Sequence, residues 1–196
     1  MTKEDYNNKI IDDAVSVLKK DGIIIVPTDT VYGLAIDSKS EVAFNKIYEV
    51  KKRSLSKKLP IVVDTYDRLK SLCEITEDEL KRLHPHYPGK LTLVLKKKDS
   101  EDTVAVRMIN NEIINKIIER LDSPLMLTSA NISGKDISKD ILTILDDFDG
   151  KVDMVIMGNK VSDVSSTIVE LKDGKLTLIR EGALPFDEIE QSFYRR

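Results

Sequence analysis

At 196 residues, 41% of them hydrophobic and 33% charged, the chain can bury a core of its own and has the composition of an ordinary globular protein. One cysteine, Cys73, excludes an internal disulfide, and two histidines, His84 and His86 around Pro85, offer too few ligands for a zinc site. A net charge of −3 argues against coating nucleic acid by bulk charge; no apolar run approaches a membrane span, and the polar start MTKEDYNNK does not read as a signal peptide, so a reducing cytoplasm and no membrane are expected.

In chain order, Ile10, Ala14, Val17 and Leu18 share a face, which predicts an amphipathic helix over 5–20 with Gly22 as its stop. The apolar run Gly22–Val26 reads as a buried strand. Val42, Ile47 and Val50 recur at near-helical spacing over 40–50, and Leu59–Val63 reads as a second strand. Thr76 and Glu79 form a capping box that opens a short helix. Leu91–Leu95 and Thr103–Arg107 are rich in β-formers and suit neighbouring strands. Isoleucines at helical spacing predict a helix over 111–121. Leu125–Thr128 and Met154–Met157 read as short strands, with a helix near 139–148 between them. STIVEL and KLTLI, separated by Lys172, Asp173 and Gly174, predict a hairpin turning on Asp-Gly. Strands and helices alternate, with hairpins mixed in. The expected fold is therefore α/β, a mixed β-sheet with helices packed on it, in one domain over 1–196.

Four segments carry chemistry. PTDTVYG (Pro27–Gly33) crowds hydroxyls and a carboxylate at a strand end, where ligand sites form in α/β sheets; the same residue types build turns. From Lys51 to Lys58, five of eight residues are Lys or Arg, which suits either a solvated surface or a polyphosphate; the segment lacks GxxxxGK[ST] and is not a P-loop. TSANISG (Thr128–Gly134) follows another strand and reads equally as a polar site and as a capped loop. Finally, SSTIVEL (Ser165–Leu171) and LIREG (Leu178–Gly182) place Arg180 at a strand end. There, as with Arg107, a phosphate or carboxylate partner competes with a plain surface role.

Together and in order these segments resemble the Sua5/YrdC family, the threonylcarbamoyl-adenylate synthases. The likeness rests on PTDTVYGL, K-x-R at Lys51 and Arg53 with basic residues and Leu59-Pro60 after it, and PG-x-LTL-x-L at Pro88–Leu95. VAVR ending on Arg107, S-A-N-x-SG at Ser129–Gly134, STIV from Ser166 and R-x-G from Arg180 complete it. The resemblance implies a twisted mixed sheet with flanking helices and a basic concave cleft. It implies that L-threonine, bicarbonate and ATP, with Mg²⁺, yield threonylcarbamoyl-AMP and pyrophosphate. On the family pattern Thr30 touches threonine, Lys51 and Arg53 meet the nucleotide phosphates with Lys57, and Thr103 lies near ATP. Arg107 takes the threonine carboxylate, Ser129 and Asn131 line the junction of amino acid and nucleotide, Ser166 contacts threonine, and Arg180 contacts ATP. Lys51, Arg53, Ser129 and Asn131 form the implied catalytic set, with no metal ligand among the side chains. The resemblance is to the short form without a C-terminal second domain, which hands its adenylate to a separate tRNA threonylcarbamoyl-transferase complex. Direct, weak tRNA binding is compatible with that but not required.

The residue types fit such chemistry. Carboxylated threonine must attack the α-phosphorus while pyrophosphate leaves, and both reactants are anionic, so the protein must hold them together and screen their charge. Ser54, Lys58, Met108-Ile109 and Asp136 depart from proline-rich positions of the family pattern, which leaves the loops less preset. The competing expectation is an RNA-binding module of the same fold without synthase activity, whose affinity would fall steeply with salt.

Overall fold

The computed structural model describes residues 3–158 and 161–195. Among the described residues nine strands form one mixed sheet in the order β7-β1-β2-β6-β3-β5-β4-β8-β9. They are β1 (Ile24–Pro27), β2 (Tyr32–Asp37), β3 (Ile61–Val63), β4 (Leu91–Lys96), β5 (Thr103–Met108), β6 (Leu125–Ser129), β7 (Met154–Val155), β8 (Thr167–Lys172) and β9 (Lys175–Arg180). The helices among the described residues are α1 (Lys3–Leu18), α2 (Glu41–Lys51), α3 (Tyr66–Leu72), α4 (Glu77–Leu83), α5 (Glu112–Leu121), α6 (Ile141–Phe148) and α7 (Phe186–Tyr194). This is the expected mixed α/β architecture.

Opposed residues of adjacent strands lie on the same face of a sheet. Leu125 opposes Val62, and Val62 opposes Arg107, so these three mark one face. Met126, Ile61 and Val106 mark the other. The second face is covered along its length. Ile25, Leu34 and Ile36 pack with Ile47 of α2 and Ile144 and Phe148 of α6. Further along, Leu91, Leu93, Val106 and Val169 pack with Leu69 of α3, Leu83 of α4 and Phe193 of α7. The first face is covered only in part. Ile114, Ile117 and Ile118 of α5, with Ile11, Ala14 and Leu18 of α1, pack on Ile24, Ala35, Val62 and Leu127. Beyond β3 the alternate residues Thr92, Val94, Ala105, Arg107 and Ile168 line an open cleft with no helical residue in its wall.

Several local expectations are corrected. Helix α1 ends on Leu18 and the turn after it closes on Asp21, whose φ of 59° makes it the left-handed residue; Gly22 is needed for a different reason, since a Cβ there would lie 2.8 Å from the Val17 carbonyl oxygen. Ile11 and Val15 are core residues alongside Ala14 and Leu18, whereas Val17 is only half-buried. The strands expected at Gly22–Val26 and Leu59–Val63 start two residues later, and β7 is shorter than Met154–Met157. Strand β2 and helices α3 and α7 were not expected at all. The Thr76–Glu79 capping box is present, and Asp173 and Gly174, both with positive φ, turn the β8–β9 hairpin.

Candidate active site on the open face of the sheet

The cleft has a volume of about 320 Å³. Four cations line it, Arg53, Lys58, Arg107 and Arg180, together with the hydroxyls of Thr92, Thr128, Ser129, Ser165 and Ser166. None of its lining residues carries a carboxylate.

Arg107 stands near the end of β5 and is almost wholly buried, at 5% exposure. Its Nη2 donates to Thr30 Oγ1 at 3.0 Å and to Asp29 Oδ1 at 2.5 Å, and its Nε donates to the Gly89 carbonyl at 3.3 Å. Asp29 and Thr30 lie in the β1–β2 turn. That turn is held by Thr28, whose Oγ1 donates to the Val31 carbonyl and accepts from the backbone N–H groups of Thr30 and Val31. Burial pulls the Arg107 guanidinium below its ordinary pKa; the Asp29 charge opposes this, and Arg180 adds to it. Thr30 is fully buried and reaches the cleft through Arg107, not as part of its wall.

Ser166 and Thr92 share a hydrogen bond of 2.8 Å, both buried, so two hydroxyls sit side by side on the cleft floor. Arg180 arrives there through a register shift. Leu178 opposes Val169, but Ile168 opposes Arg180 rather than Ile179. This one-residue bulge turns Arg180 onto the face of Ile168, where regular alternation would have sent it to the helix-covered side. Its Nη2 donates to the Ser166 carbonyl at 2.8 Å. Burial lowers its pKa.

Lys51 closes α2 and is 1% exposed. Its Nζ donates to the Ser129 carbonyl, to the Asn131 carbonyl at 2.7 Å and to Asn131 Oδ1 at 3.4 Å. Ser129 Oγ in turn donates to Asn131 Oδ1 at 2.6 Å. Lys51 is therefore the post on which the Ser-Ala-Asn loop is built. Burial, with the nearby Arg53 charge, pushes its pKa down to about 7. Arg53 is half-buried and curls back, Nε to the Lys57 carbonyl at 3.0 Å and Nη2 to the Lys58 carbonyl at 3.1 Å. With Lys57 N–H donating to the Ser54 carbonyl, these bonds shape a loop that lacks prolines at Ser54 and Lys58.

The structure thus gathers Arg53, Arg107, Ser129, Ser166 and Arg180 into the cleft wall and sets Thr30, Lys51 and Asn131 directly against wall residues. It does not bring Thr103 or Lys57 there. Thr103 shares the face of Arg107 but lies four residues away, about 13 Å along the strand. It borders a second depression of about 400 Å³, whose walls include Glu74, Glu79, Glu101, Glu170 and Asp173. That depression is the larger of the two, but its carboxylates suit no polyphosphate. Lys57 is exposed on the loop. Thr92 is a site feature that residue-level reading missed; Asp29 and Lys58 fall within segments read as chemistry-bearing but carry no individual role there. The Asp29–Arg107 pair spans 78 positions, and nothing local announces it. Among the described residues no group of three or more His, Cys, Asp or Glu side chains could hold a metal ion.

Residues 16–182 match the Sua5/YciO/YrdC family model, described as "Telomere recombination". A threonylcarbamoyl-AMP synthase of Pyrococcus abyssi is 35% identical over 188 residues, covering 91% of this chain and 55% of the relative. A Methanocaldococcus jannaschii protein, named only provisionally as a threonylcarbamoyl-AMP synthase, is 31% identical over 193 residues, covering 95% and 92%. The crystal structure of P. abyssi Sua5 complexed with L-threonine superposes with a TM-score of 0.85 at 35% identity, over 93% of this chain and 56% of that one. The chain thus spans little more than half the length of the Pyrococcus protein. With the motifs, the mixed sheet and the match over residues 16–182 in agreement, the chain belongs to the Sua5/YciO/YrdC family.

Proposed function

We propose that this chain is a threonylcarbamoyl-AMP synthase, a nucleotidyltransferase that joins L-threonine, bicarbonate and ATP. One observation carries the reading. A single cleft places a buried, hydroxyl-lined end with one paired guanidinium beside an end rich in unpaired cations, and no carboxylate lines either. The Pyrococcus relative is named for this activity, and its Sua5 structure holds L-threonine.

In this reading the threonine carboxylate meets Arg107, and its hydroxyl meets Ser166 and Thr92. The ammonium releases a proton to solvent, and the free amino nitrogen then bonds to the carbon supplied by bicarbonate, with loss of water, to give a carbamate. A carbamate oxygen then forms a bond to the α-phosphorus of ATP, and the bond from that phosphorus to the bridging oxygen breaks, releasing pyrophosphate. Arg53, Lys58 and Arg180 screen the phosphates, and the loop braced by Lys51 brings Ser129 and Asn131 to the junction. This is catalysis by positioning and charge screening. Mg²⁺ would enter with the nucleotide, held by the phosphates, since the wall offers hydroxyls but no carboxylate. The adenylate would pass to a separate complex that forms threonylcarbamoyladenosine on tRNA, in the cytoplasm.

The test is to incubate the purified protein with ATP, Mg²⁺, labelled bicarbonate and L-threonine. Threonine-dependent pyrophosphate release and a labelled adenylate are expected. Neither product, with tight salt-sensitive RNA binding instead, would replace this reading with the RNA-binding one.

A further inference from the structure

We propose that Asp29 sets the charge of the amino-acid end of the cleft, cancelling Arg107 so that this end accepts a zwitterion and refuses a bare anion. The inference rests on the function proposed above and adds a specificity-determining residue to it.

The charges of the cleft wall are uneven in a way that needs a cause. Arg53, Lys58 and Arg180 have no ion pair among the described residues, whereas Arg107 is paired with Asp29 with both side chains nearly buried, 7% and 12% exposed. Asp29 accepts from Arg107 on Oδ1 and from the Asn110 backbone N–H at 3.4 Å on Oδ2. It is therefore clamped from the end of β5 and from the chain just after it. Arg107 Nη2 is occupied by Asp29 and Thr30, and Nε by Gly89, while Nη1 makes no hydrogen bond among the described residues. One nitrogen, with its two N–H groups, thus remains for a carboxylate, on a group whose net charge is already offset.

The chemistry of the substrates requires such sorting. ATP, pyrophosphate and phosphate are anions, and a cleft with four free cations would bind them along its whole length. Free threonine carries a carboxylate and an ammonium and has no net charge. An unpaired, buried guanidinium would hold any small anion strongly in that low-dielectric corner and would repel the ammonium. With Asp29 present the charge of Arg107 is offset and Arg180, held on the Ser166 carbonyl, is left as the unpaired cation beside it, so a ligand is selected by its hydrogen bonds to Arg107 Nη1, Ser166 and Thr92. Arg53 and Lys58 at the other end, with Arg180 between, keep their preference for phosphates. Thr30, fully buried against Arg107, is then a positioning residue that orients the guanidinium.

The experiment compares wild type, Asp29→Asn and Asp29→Glu in threonine-dependent pyrophosphate release, with inorganic phosphate as the probe anion. In wild type, phosphate should compete with ATP and leave the KM for threonine unchanged. In Asp29→Asn, phosphate should compete with threonine as well. The KM for threonine should rise at least about tenfold, a 1.4 kcal/mol effect, with the KM for ATP unchanged. Asp29→Glu should recover part of the loss. A folded Asp29→Asn protein with unchanged threonine KM, or with no phosphate competition against threonine, overturns the proposal. So does phosphate competing with threonine in wild type, which decides the matter even if Asp29→Asn fails to fold. If wild type releases no pyrophosphate, the proposed function has failed. Calorimetric titration with phosphate then tests Asp29 alone, by whether Asp29→Asn gains a phosphate site that wild type lacks.

Discussion

Replacing Lys51 with methionine isolates the cost of burying an ammonium under the Ser-Ala-Asn loop. Methionine keeps the stem of the side chain as far as Cε and removes the charge together with three hydrogen bonds. The lost bonds change stability by an amount that does not depend on pH; the lost titration changes it by an amount that does. In the folded protein the Lys51 pKa is pushed down to about 7, against 10.5 for a free lysine. Between these values the unfolded chain holds a proton that the folded chain has released, so wild-type stability rises with pH there. Below pH 7 both states are protonated and the burial penalty is borne in full.

The magnitude follows directly. With a folded pKa near 7, moving from pH 7 to 9 is worth about 1.7 pKa units, or about 2 kcal/mol, in the wild-type minus Lys51→Met difference. For a chain of this length that is about 4–9 °C in relative melting temperature. Urea unfolding of both proteins at half-unit steps from pH 6 to 9 measures it. The difference should be flat below pH 6.5 and climb above pH 7. A difference that stays flat to pH 9 refutes the reasoning. It would mean that the three acceptors hold Lys51 as a permanent cation.

Arg53→Ala should lower threonine-dependent pyrophosphate release by about 10²-fold. Its melting temperature should change little, because the side chain is half-buried and bonds only to carbonyls of its own loop; wild-type turnover would remove Arg53 from the phosphate site. Gly182→Ala should destabilise by about 1–3 kcal/mol, because the new Cβ would lie 2.6 Å from the Ser166 carbonyl carbon. It should also raise the KM for threonine, and unchanged melting would show that the hairpin end is looser than its packing implies. Threonine should bind about 10–100-fold more tightly than valine, since the buried Ser166–Thr92 hydroxyl pair keeps one unused donor and spare lone pairs that the threonine hydroxyl satisfies and valine cannot. Serine should fall between the two, and equal calorimetric affinity for threonine and valine would refute a hydroxyl-reading pocket.

Much of the fold was legible because most elements announce themselves locally. The isoleucines of α5, the Thr76–Glu79 box and the Asp-Gly turn each carry their own signal. What was missed lacks one. Strand β2, with the sequence YGLAID, follows a segment full of turn formers, and its five fully buried residues show no alternation to mark a face. Helices α3 and α7 are short, seven and nine residues, and each buries only one or two side chains. The site divided in the same way. Its polar segments could be found at strand ends, but burial decided what each residue does. Thr30 and Lys51 carry chemistry-bearing groups yet lie beneath the wall, holding Arg107 and the Ser129–Asn131 loop. The bulge that turns Arg180 is a property of β8 and β9 together, and neither strand shows it alone.

The position of the cleft follows from how unevenly the helices are shared between the two faces. Five of the seven described helices pack on one face and two on the other, and those two reach no further than β3. Strands β5, β4 and β8 must therefore bury one set of alternate residues and leave the other set open. Leu93, Val106 and Val169 are core, while Thr92, Ala105, Arg107 and Ile168 meet the cleft. A bare apolar face of that extent would be a liability in water. Here it is interrupted by Thr92, Arg107 and Arg180, and the β1–β2 turn from across the sheet supplies the buried carboxylate that makes Arg107 tolerable. The antiparallel pairing of β1 with β2 brings Asp29 and Thr30 to that edge, and β6 beside β2 brings Ser129 to the same end. The site is thus assembled by strand order. A substitution that shifted β2 against β6 by one residue would carry Ser129 to the opposite face while leaving every motif in the sequence intact.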